Sequence, residues 1–402
     1  MTQNRSFRNT AASADNYSVP IIFYVAVFIA GAGFSSVGAS LPSIADHFML
    51  TTSAAAAIPF ALFCGGITGL VVMGFSLQRS RLLLGGSIFL MFGSSLAVVL
   101  IPTHLIILKV SFFVFGGSIF ILHTVPGIIV SRHSAGQGAR IMNLLYAFFS
   151  AGVMMSPLIS AVIIAHNLTF THFFSIIAAF AGIAGLAFTV NRFSSPDIRQ
   201  GLIPAAIGDL LKNHLRLFLV LFFMTLCYVG SEAAPNAWLP MYLRDTFPAS
   251  TPYRPNIILF LFWLAITLGR FICAYILMKN QKRLLVLSVL AGGAALCLVG
   301  APAAQNRIQA EILFVLTGFF YSGIFPIIIG YSEYLPDRSV GTFFILLVIA
   351  GAVGASLVVK SVGLVADTLG FSWGMGIAAM ICAVILPLIY LLPKTGEDDI
   401  KP

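Results

Sequence analysis

Residues 217–242 read LFLVLFFMTLCYVGSEAAPNAWLPMY, an apolar stretch in which Glu232 is the only charged residue. An α-helix rises about 1.5 Å per residue, and about 20 apolar residues cross the hydrocarbon of a bilayer, so this stretch is long enough to span a membrane. A carboxylate in such a span costs roughly 2.5 to 3.5 kcal/mol and normally faces a bundle interior or a water-filled cavity. Glu232 is therefore the first candidate for a functional residue.

The residues around Glu232 add polar groups and two prolines. Tyr228 and Asn236 lie four residues to either side, so the three side chains share one helical face. Both are candidates for substrate binding. Pro235 and Pro240 remove backbone hydrogen bonds and predict a kink or a loosened outer half of the helix.

The composition indicates a polytopic membrane protein. The 402 residues are 59% hydrophobic and 9% charged, whereas charged residues make up about a quarter of a soluble domain. The formal net charge of +9 comes from basic residues scattered in short loops, a pattern that signals membrane topology and predicts no nucleic-acid partner. The five cysteines stand in apolar runs without disulfide or zinc spacing, and we predict no metal site and no cofactor.

Twelve apolar runs are long enough to be membrane helices. They cover residues 19–43, 54–77, 82–101, 105–130, 140–165, 169–190, 217–243, 256–278, 284–303, 309–332, 340–365 and 372–393. A polar interval separates the first six from the last six. We therefore predict an all-α membrane fold with an N-terminal half at 1–190, a cytoplasmic linker at 191–216 and a C-terminal half at 217–402.

The distribution of basic residues predicts the orientation. With the amino terminus inside, the outer segments contain only Arg244, Arg254 and Arg307. The spans contain Lys109, Arg270 and Lys360, and the remaining Lys and Arg are cytoplasmic. The positive-inside rule then places both termini in the cytoplasm.

The two halves share a pattern, as in many secondary transporters. In each half a glycine, Gly69 or Gly269, precedes a basic turn. We predict that these turns are cytoplasmic gating loops; their basic residues are Arg79, Arg81, Lys279, Lys282 and Arg283.

Five stretches carry a resemblance to a known family. They are LPSIADHF at 41–48, GARIMNLLYAFFSAGVMMSP at 138–157, YVGSEAAPNAWLPMYL at 228–243, LGRFICAYILMKNQKRLL at 268–285 and GLVADTLG at 363–370. With them the chain resembles the major facilitator superfamily over essentially its full length, and most of all its fucose permease branch of sugar/proton symporters. The resemblance implies that helices one, four, seven and ten line a cavity and that helices two, five, eight and eleven form moving interfaces.

The chain departs from that family at three positions. Phe75 stands near the place of the acidic residue that normally precedes the basic pair of the loop between helices two and three. Gly38 and Ile121 align with acids that the fucose permease branch has in its first and fourth helices. Proton coupling through those acids is therefore not implied for this chain.

Helix four offers two candidate substrate-binding residues. Lys109 and His123 are fourteen residues apart, close to four helical turns, and so lie near one face. Alternatively, Lys109 snorkels to the outer headgroups and His123 is a satisfied core histidine. Further hydrogen-bond candidates on other helices are Tyr24, Asn143, Tyr146 and Tyr321.

Lys360, about six residues inside the outer end of helix eleven, calls for a counter-charge. Three alternatives are open for Lys360: an ion pair with Glu232, binding of an anionic substrate, or snorkelling to the membrane surface. Glu232 in turn binds the coupling proton, hydrogen-bonds a substrate or stabilises the bundle. We expect Glu311 to be a solvated helix end, and we expect Trp238, Tyr242 and Trp373 to be interfacial anchors.

These patterns predict a secondary active transporter that moves a sugar-like solute or an organic anion by alternating access, coupled to protons. Alternatives are a proton-driven exporter of drugs, lipids or siderophores and a non-transporting receptor. The chain has neither a GxxxxGK[ST] loop nor HExxH-like spacing, so we predict neither ATP-driven transport nor an enzyme. By family analogy we expect a monomer, in a bacterial inner membrane.

Overall fold

The computed structural model describes residues 19–133, 138–190, 204–248, 251–280, 282–335 and 337–392, and all regular structure in these ranges is helical. The first six long helices are α1 (Ile21–His47), α2 (Ala57–Ser76), α3 (Ser80–Leu100), α4 (Leu105–His133), α5 (Gly138–Ala165) and α6 (Phe170–Val190). The next six are α7 (Leu215–Thr246), α8 (Arg254–Asn280), α9 (Arg283–Gly300), α10 (Arg307–Tyr321 and Ile324–Gly330), α11 (Asp337–Leu369) and α12 (Phe371–Ala383 and Ile385–Ile389). A one-turn helix, Thr52–Ala55, precedes α2.

These helices confirm the predicted all-α membrane fold. Among the described residues, eleven stretches are long and apolar enough to cross a membrane. One of them, Thr52–Leu100, contains both α2 and α3, which a short 3-10 turn at Leu77–Arg79 separates. The described part of the chain therefore contains twelve long apolar helices.

The predicted linker contains a helix that the sequence analysis did not anticipate. Residues 191–203 lie outside the described part of the chain, and the linker helix Pro204–Asn213 follows them. Ser339 of α11 donates a 3.0 Å hydrogen bond to Asp209 on this helix. Its apolar Leu210 is buried. An amphipathic helix thus occupies part of an interval that looked merely polar.

The helices form two compact units. Unit 1 consists of Met1–Met49, Ala57–Gly201 and Thr251–Phe260. Unit 2 consists of Leu50–Ala56, Leu202–Ser250 and Leu261–Pro402. Each unit thus includes one short segment from the other half of the sequence.

Glycines let helices approach closely inside unit 1. A Cβ built on Gly65 would lie 1.7 Å from the carbonyl oxygen of Phe113, and one on Gly116 would lie 1.9 Å from that of Leu62. Both distances are far shorter than a van der Waals contact, so α2 and α4 touch through their backbones. Any side chain at these glycines would force the helices apart.

Unit 2 contains the same device. A Cβ on Gly354 of α11 would lie 2.0 Å from the carbonyl oxygen of Leu226 in α7. On α10, a Cβ at Gly318 would lie 2.4 Å from the carbonyl oxygen of Phe262 in α8. Glycines therefore bring helices into backbone contact in both units.

Proline acts differently in α7 and α10. The helix α7 continues through Pro235 and Pro240, and the kink or loosening of its outer half stays a prediction. By contrast, α10 is interrupted at Ser322–Gly323. Pro326 follows this interruption and has no N–H to donate to the carbonyl of Ser322, four residues earlier.

Two aromatic residues that we expected at the membrane interface lie in the core of unit 2. Trp238 is fully buried, and its Nε1 donates a 2.9 Å hydrogen bond to the carbonyl of Val359. Tyr242 is buried too, and its hydroxyl donates to the carbonyl of Ala301. That expectation was wrong for both, because position near a helix end does not reveal which face the next helix covers. Trp373, in contrast, is 69% exposed.

Candidate functional site

Glu232 lies in the middle of α7, inside unit 2, and is only 8% exposed. Tyr228, one turn earlier on the same face, donates a hydrogen bond from its hydroxyl to Glu232 Oε1 at 2.5 Å. The four-residue spacing brings the two side chains together, as predicted. A buried carboxyl group thus has an oriented donor on its own helix.

Aromatic rings hold Tyr228 in place. Tyr321 packs edge-on against it with centroids 5.6 Å apart, and Phe325 stacks on it at 6.2 Å. These two residues stand on either side of the interruption in α10. The interruption therefore presents rings from both parts of α10 to the Tyr228–Glu232 pair.

Arg270 of α8 is the cation whose charge acts on both Glu232 and Tyr228. Its neighbour Gly269 packs against Ser322 of α10, where a Cβ would lie 2.6 Å from the hydroxyl oxygen. This close approach places α8 beside the interruption in α10. We call the buried Tyr228–Glu232 pair, together with the half-buried Arg270 whose charge acts on it, the Glu232 cluster.

Sequence reasoning missed Arg270 as a partner of Glu232. The signal was available, because an arginine inside an apolar span is itself a functional candidate that needs a counter-charge. We had instead considered Lys360 as the partner, and that pairing was wrong: Glu232 accepts a hydrogen bond from Tyr228, and Arg270 is the cation whose charge acts on it.

The position of Lys360 on α11 explains why it does not reach Glu232. The face of α11 that packs on α7 includes Gly354, which lies against the backbone of Leu226, and Val358, which lies against Gly230. Lys360 is exposed and lies on another face, together with the exposed Leu357 and Leu364. A role for Lys360 in binding an anionic substrate stays a prediction.

Asn236 extends the polar face of α7 by one more turn. Its Oδ1 accepts a 3.0 Å hydrogen bond from Nε1 of Trp263 on α8, and both residues are buried. The three polar residues predicted on one face of α7 are therefore all buried inside unit 2, and α8 contacts that face at Asn236.

The candidates of unit 1 have aromatic surroundings. His123 of α4 is half-buried against Phe149 and Tyr146 of α5, with ring centroids 4.5 Å and 5.8 Å away. Tyr24 packs against Phe148 at 5.2 Å. Lys109 is half-buried near the other end of α4. The side chain of Asn143 lies outside the described part of the structure.

The predicted gating loops are exposed basic turns. Arg79, Arg81, Lys279 and Lys282 are exposed, and Arg283 is half-buried. The Arg81 guanidinium lies 5.9 Å from the centre of the Phe188 ring, and the Lys279 ammonium lies 5.4 Å from that of Tyr275. Phe75, near the family's acidic position, is 69% exposed.

Glu311 corrects another expectation. It is 5% exposed, and Arg307, four residues earlier on α10, forms an ion pair with it at 2.6 Å. We expected a solvated helix end, because Glu311 stands close to the start of its span. The face of α10 that includes Ala310 and Glu311 is buried although Ile308 is exposed, and the arginine supplies the counter-charge that burial requires.

The described residues of this site offer hydrogen-bonding groups and a titratable carboxyl group. Within these ranges, no group of three or more His, Cys, Asp or Glu side chains could hold a metal ion. The Glu232 cluster is where a titratable acid, a phenol and a cation meet.

Several solved structures have the same fold. A D-xylose–proton symporter matches with a TM-score of 0.73 and 13% identity, over 92% of this chain and 96% of that one. The transporter FucP in its outward conformation matches with a TM-score of 0.67 and 18% identity, over 93% and 98%. The nucleoside transporter NupG matches with a TM-score of 0.74 and 13% identity, over 94% and 100%. At these identities the likeness concerns the fold alone.

A search of curated protein sequences gave no match. The family model described as Major Facilitator Superfamily matches residues 23–359, which is most of the chain. That match agrees with the twelve long apolar helices and with the fold of the three transporters. The chain is an integral membrane protein that belongs to the Major Facilitator Superfamily of transporters.

Proposed function

We propose that this protein is a secondary active transporter that couples movement of a small organic solute to protons by alternating access. The moving parts are the halves at 1–190 and 217–402, joined by the linker at 191–216. Both termini lie in the cytoplasm, and the protein acts as a monomer in a bacterial inner membrane. Its partners are the solute, protons and the bilayer, with no nucleic acid.

The observation that carries this proposal is the buried Glu232, with Tyr228 donating to it and Arg270 as the nearby cation. Desolvation favours the neutral form of a carboxyl group, whereas a donor and a neighbouring cation favour its charged form. A movement that changes either influence makes the carboxyl group take up or release a proton. Glu232 therefore supplies the coupling site.

Hydrogen-bonding side chains support a hydroxyl-rich solute. Tyr228, Asn236 and Tyr321 offer such groups in unit 2; in unit 1 they are offered by Tyr24, His123, Asn143 and Tyr146. Two of the structural neighbours are described as a D-xylose–proton and a fucose–proton symporter, which agrees with a sugar-like solute here. Lys109 and Lys360 provide the alternative, an organic anion, and the basic turns serve as cytoplasmic gates.

The experiment has two stages. A thermal-shift screen of the purified protein at two pH values, against neutral sugars, sugar acids, nucleosides and lipophilic cations, identifies a ligand, because a ligand at 100 times its dissociation constant stabilises a protein by about 2.7 kcal/mol. Uptake of that ligand is then measured in proteoliposomes with and without an inward proton gradient.

We expect the gradient to drive accumulation and a protonophore to abolish it. Binding without flux would instead indicate a receptor. Export driven by the gradient would favour the alternative of a proton-driven exporter. Flux that ignores the gradient would contradict proton coupling.

A further inference from the structure

Unit 1 has a groove on the outer side of α3 that the transport site does not use. The groove has a volume of about 590 Å³, and its lining includes Arg79, Arg81, Leu82, Gly86 and Phe188. Both arginines stand at the start of α3, on the face predicted to be cytoplasmic. The groove is thus cationic at one end and apolar along its length.

A second groove continues along the same helix. It has a volume of about 420 Å³, shares Phe89 with the first, and is lined by Gly93 of α3 and by Ile106 and Val110 of α4. From Arg81 to the far end of the second groove at Ala97 the helix rises about 24 Å. Half the hydrocarbon thickness is about 15 Å. Together the two grooves, which we call the joined grooves, extend far enough to hold one acyl chain that starts at headgroup level.

Two glycines form the open floor of these grooves. A Cβ built on Gly86 or on Gly93 would meet no atom within 4 Å. The two residues are seven apart and so lie on one face of α3. By contrast, a Cβ on the neighbouring Gly85 would lie 2.4 Å from the Phe188 ring. Gly85 packs two helices together, whereas Gly86 and Gly93 leave space beside α3.

The charges at the entrance select for an anion. Residues 74–101 contain Arg79 and Arg81 and no acidic residue. The Arg81 guanidinium already lies over the Phe188 ring, at the mouth of the first groove. Guanidinium groups bind phosphate oxygens with paired hydrogen bonds, and basic residues beside a membrane helix attract anionic lipids.

We propose that the joined grooves bind an anionic phospholipid, with its phosphate on Arg79 and Arg81 and one acyl chain along Gly86 and Gly93. The apolar rims agree with this occupant: Leu82 is 67% exposed and Ile106 is 77% exposed. The site lies wholly within unit 1 and is separate from the Glu232 cluster, so it does not depend on the proposed transport function.

The test measures lipid binding to the full-length protein in detergent by native mass spectrometry, titrating phosphatidylglycerol and, separately, phosphatidylcholine with the same chains. Two variants remove different parts of the site. Arg79→Ala with Arg81→Ala removes the headgroup contacts, and Gly86→Leu with Gly93→Leu fills the groove where the structure leaves open space. Lys279→Ala with Lys282→Ala is the matched control, since it removes two exposed cations from the equivalent turn of unit 2.

We expect phosphatidylglycerol to bind at least tenfold more tightly than phosphatidylcholine. Each of the two site variants lowers the affinity for phosphatidylglycerol at least tenfold, and the lysine control changes that affinity by less than twofold. The glycine variant keeps its unfolding temperature without lipid, which shows that it has folded. The proposal would be overturned if both lipids bound equally tightly, or if the lysine control lost as much phosphatidylglycerol affinity as the arginine variant. It would also be overturned if the variant with Gly86→Leu and Gly93→Leu bound phosphatidylglycerol as tightly as the parent.

Discussion

The two units pack their helices through the same kind of glycine contact, but they bury different polar side chains. In each, glycines bring helices into backbone contact, at Gly116 in unit 1 and at Gly354 in unit 2. Among the described residues, however, both buried acids, Glu232 and Glu311, lie in unit 2, and the buried polar side chains of unit 1 are uncharged. A repeated scaffold therefore does not require repeated chemistry, and we locate proton coupling in unit 2.

The buried ion pair of α10 gives the largest expected effect on stability. Arg307→Ala leaves Glu311 buried without its cation, which costs about 3 to 5 kcal/mol. The measurement is the free energy of unfolding in detergent by chemical denaturation. A double variant, Arg307→Met with Glu311→Met, recovers most of the loss because it removes both charges. An unchanged free energy of unfolding in the single variant would contradict a buried ion pair.

The glycine contacts give the next largest effect, and they test whether the packing is the same in both units. Gly116→Val and Gly354→Val each place a side chain within about 2 Å of a facing carbonyl oxygen. Overpacking of this kind costs about 1 to 3 kcal/mol, so both variants lower the unfolding temperature by a similar amount. Gly86→Val is the control, since its side chain enters open space. A lower unfolding temperature in only one of the two variants would show that the helix packing differs between the units.

The hydrogen bond within the Glu232 cluster is tested by its effect on the rate of transport. Tyr228→Phe keeps the ring contacts with Tyr321 and Phe325 and removes the donor to Glu232. Hydrogen bonds to charged groups contribute about 1.5 to 3 kcal/mol, so the rate of proton-driven uptake falls about tenfold or more. Tyr242→Phe, which removes a hydrogen bond to the backbone in the same unit, leaves the rate within about twofold. Equal rates in the two variants would place Tyr228 outside the coupling site.

The smallest effect is expected in unit 1. His123 packs against aromatic rings of α5, and His123→Phe keeps aromatic contacts that are worth about 0.5 to 1.5 kcal/mol. A proton gradient should still drive accumulation, because the variant removes a candidate solute contact and no coupling group. Loss of accumulation with solute exchange intact would show that unit 1 also takes part in proton coupling. The assignment of coupling to unit 2 alone would then be wrong.

The sequence was sufficient for the scaffold. Twelve apolar runs gave the twelve long helices, since the length of an apolar run follows from the thickness of the bilayer. The helical repeat placed Tyr228 against Glu232, because residues four apart on one helix meet whatever surrounds them.

Contacts between helices distant in sequence were not predictable. Arg270 and Lys360 are both cations inside apolar spans, and only the packing of α8 and α11 against α7 shows which one acts on Glu232. Glu311 and Trp238 stand near helix ends, where neighbouring helices rather than sequence position decide their burial. The interruption of α10 depends on Pro326, which looks no different in sequence from the prolines that α7 accommodates.

Coupling through Glu232 is tested most directly by comparing two activities of Glu232→Gln in proteoliposomes, with the ligand found by thermal shift. Glutamine cannot take up a proton at physiological pH, but its carbonyl oxygen still accepts the hydrogen bond from Tyr228. We predict that the variant loses accumulation driven by a proton gradient and keeps exchange of solute across the membrane. Undiminished accumulation by this variant would contradict the account.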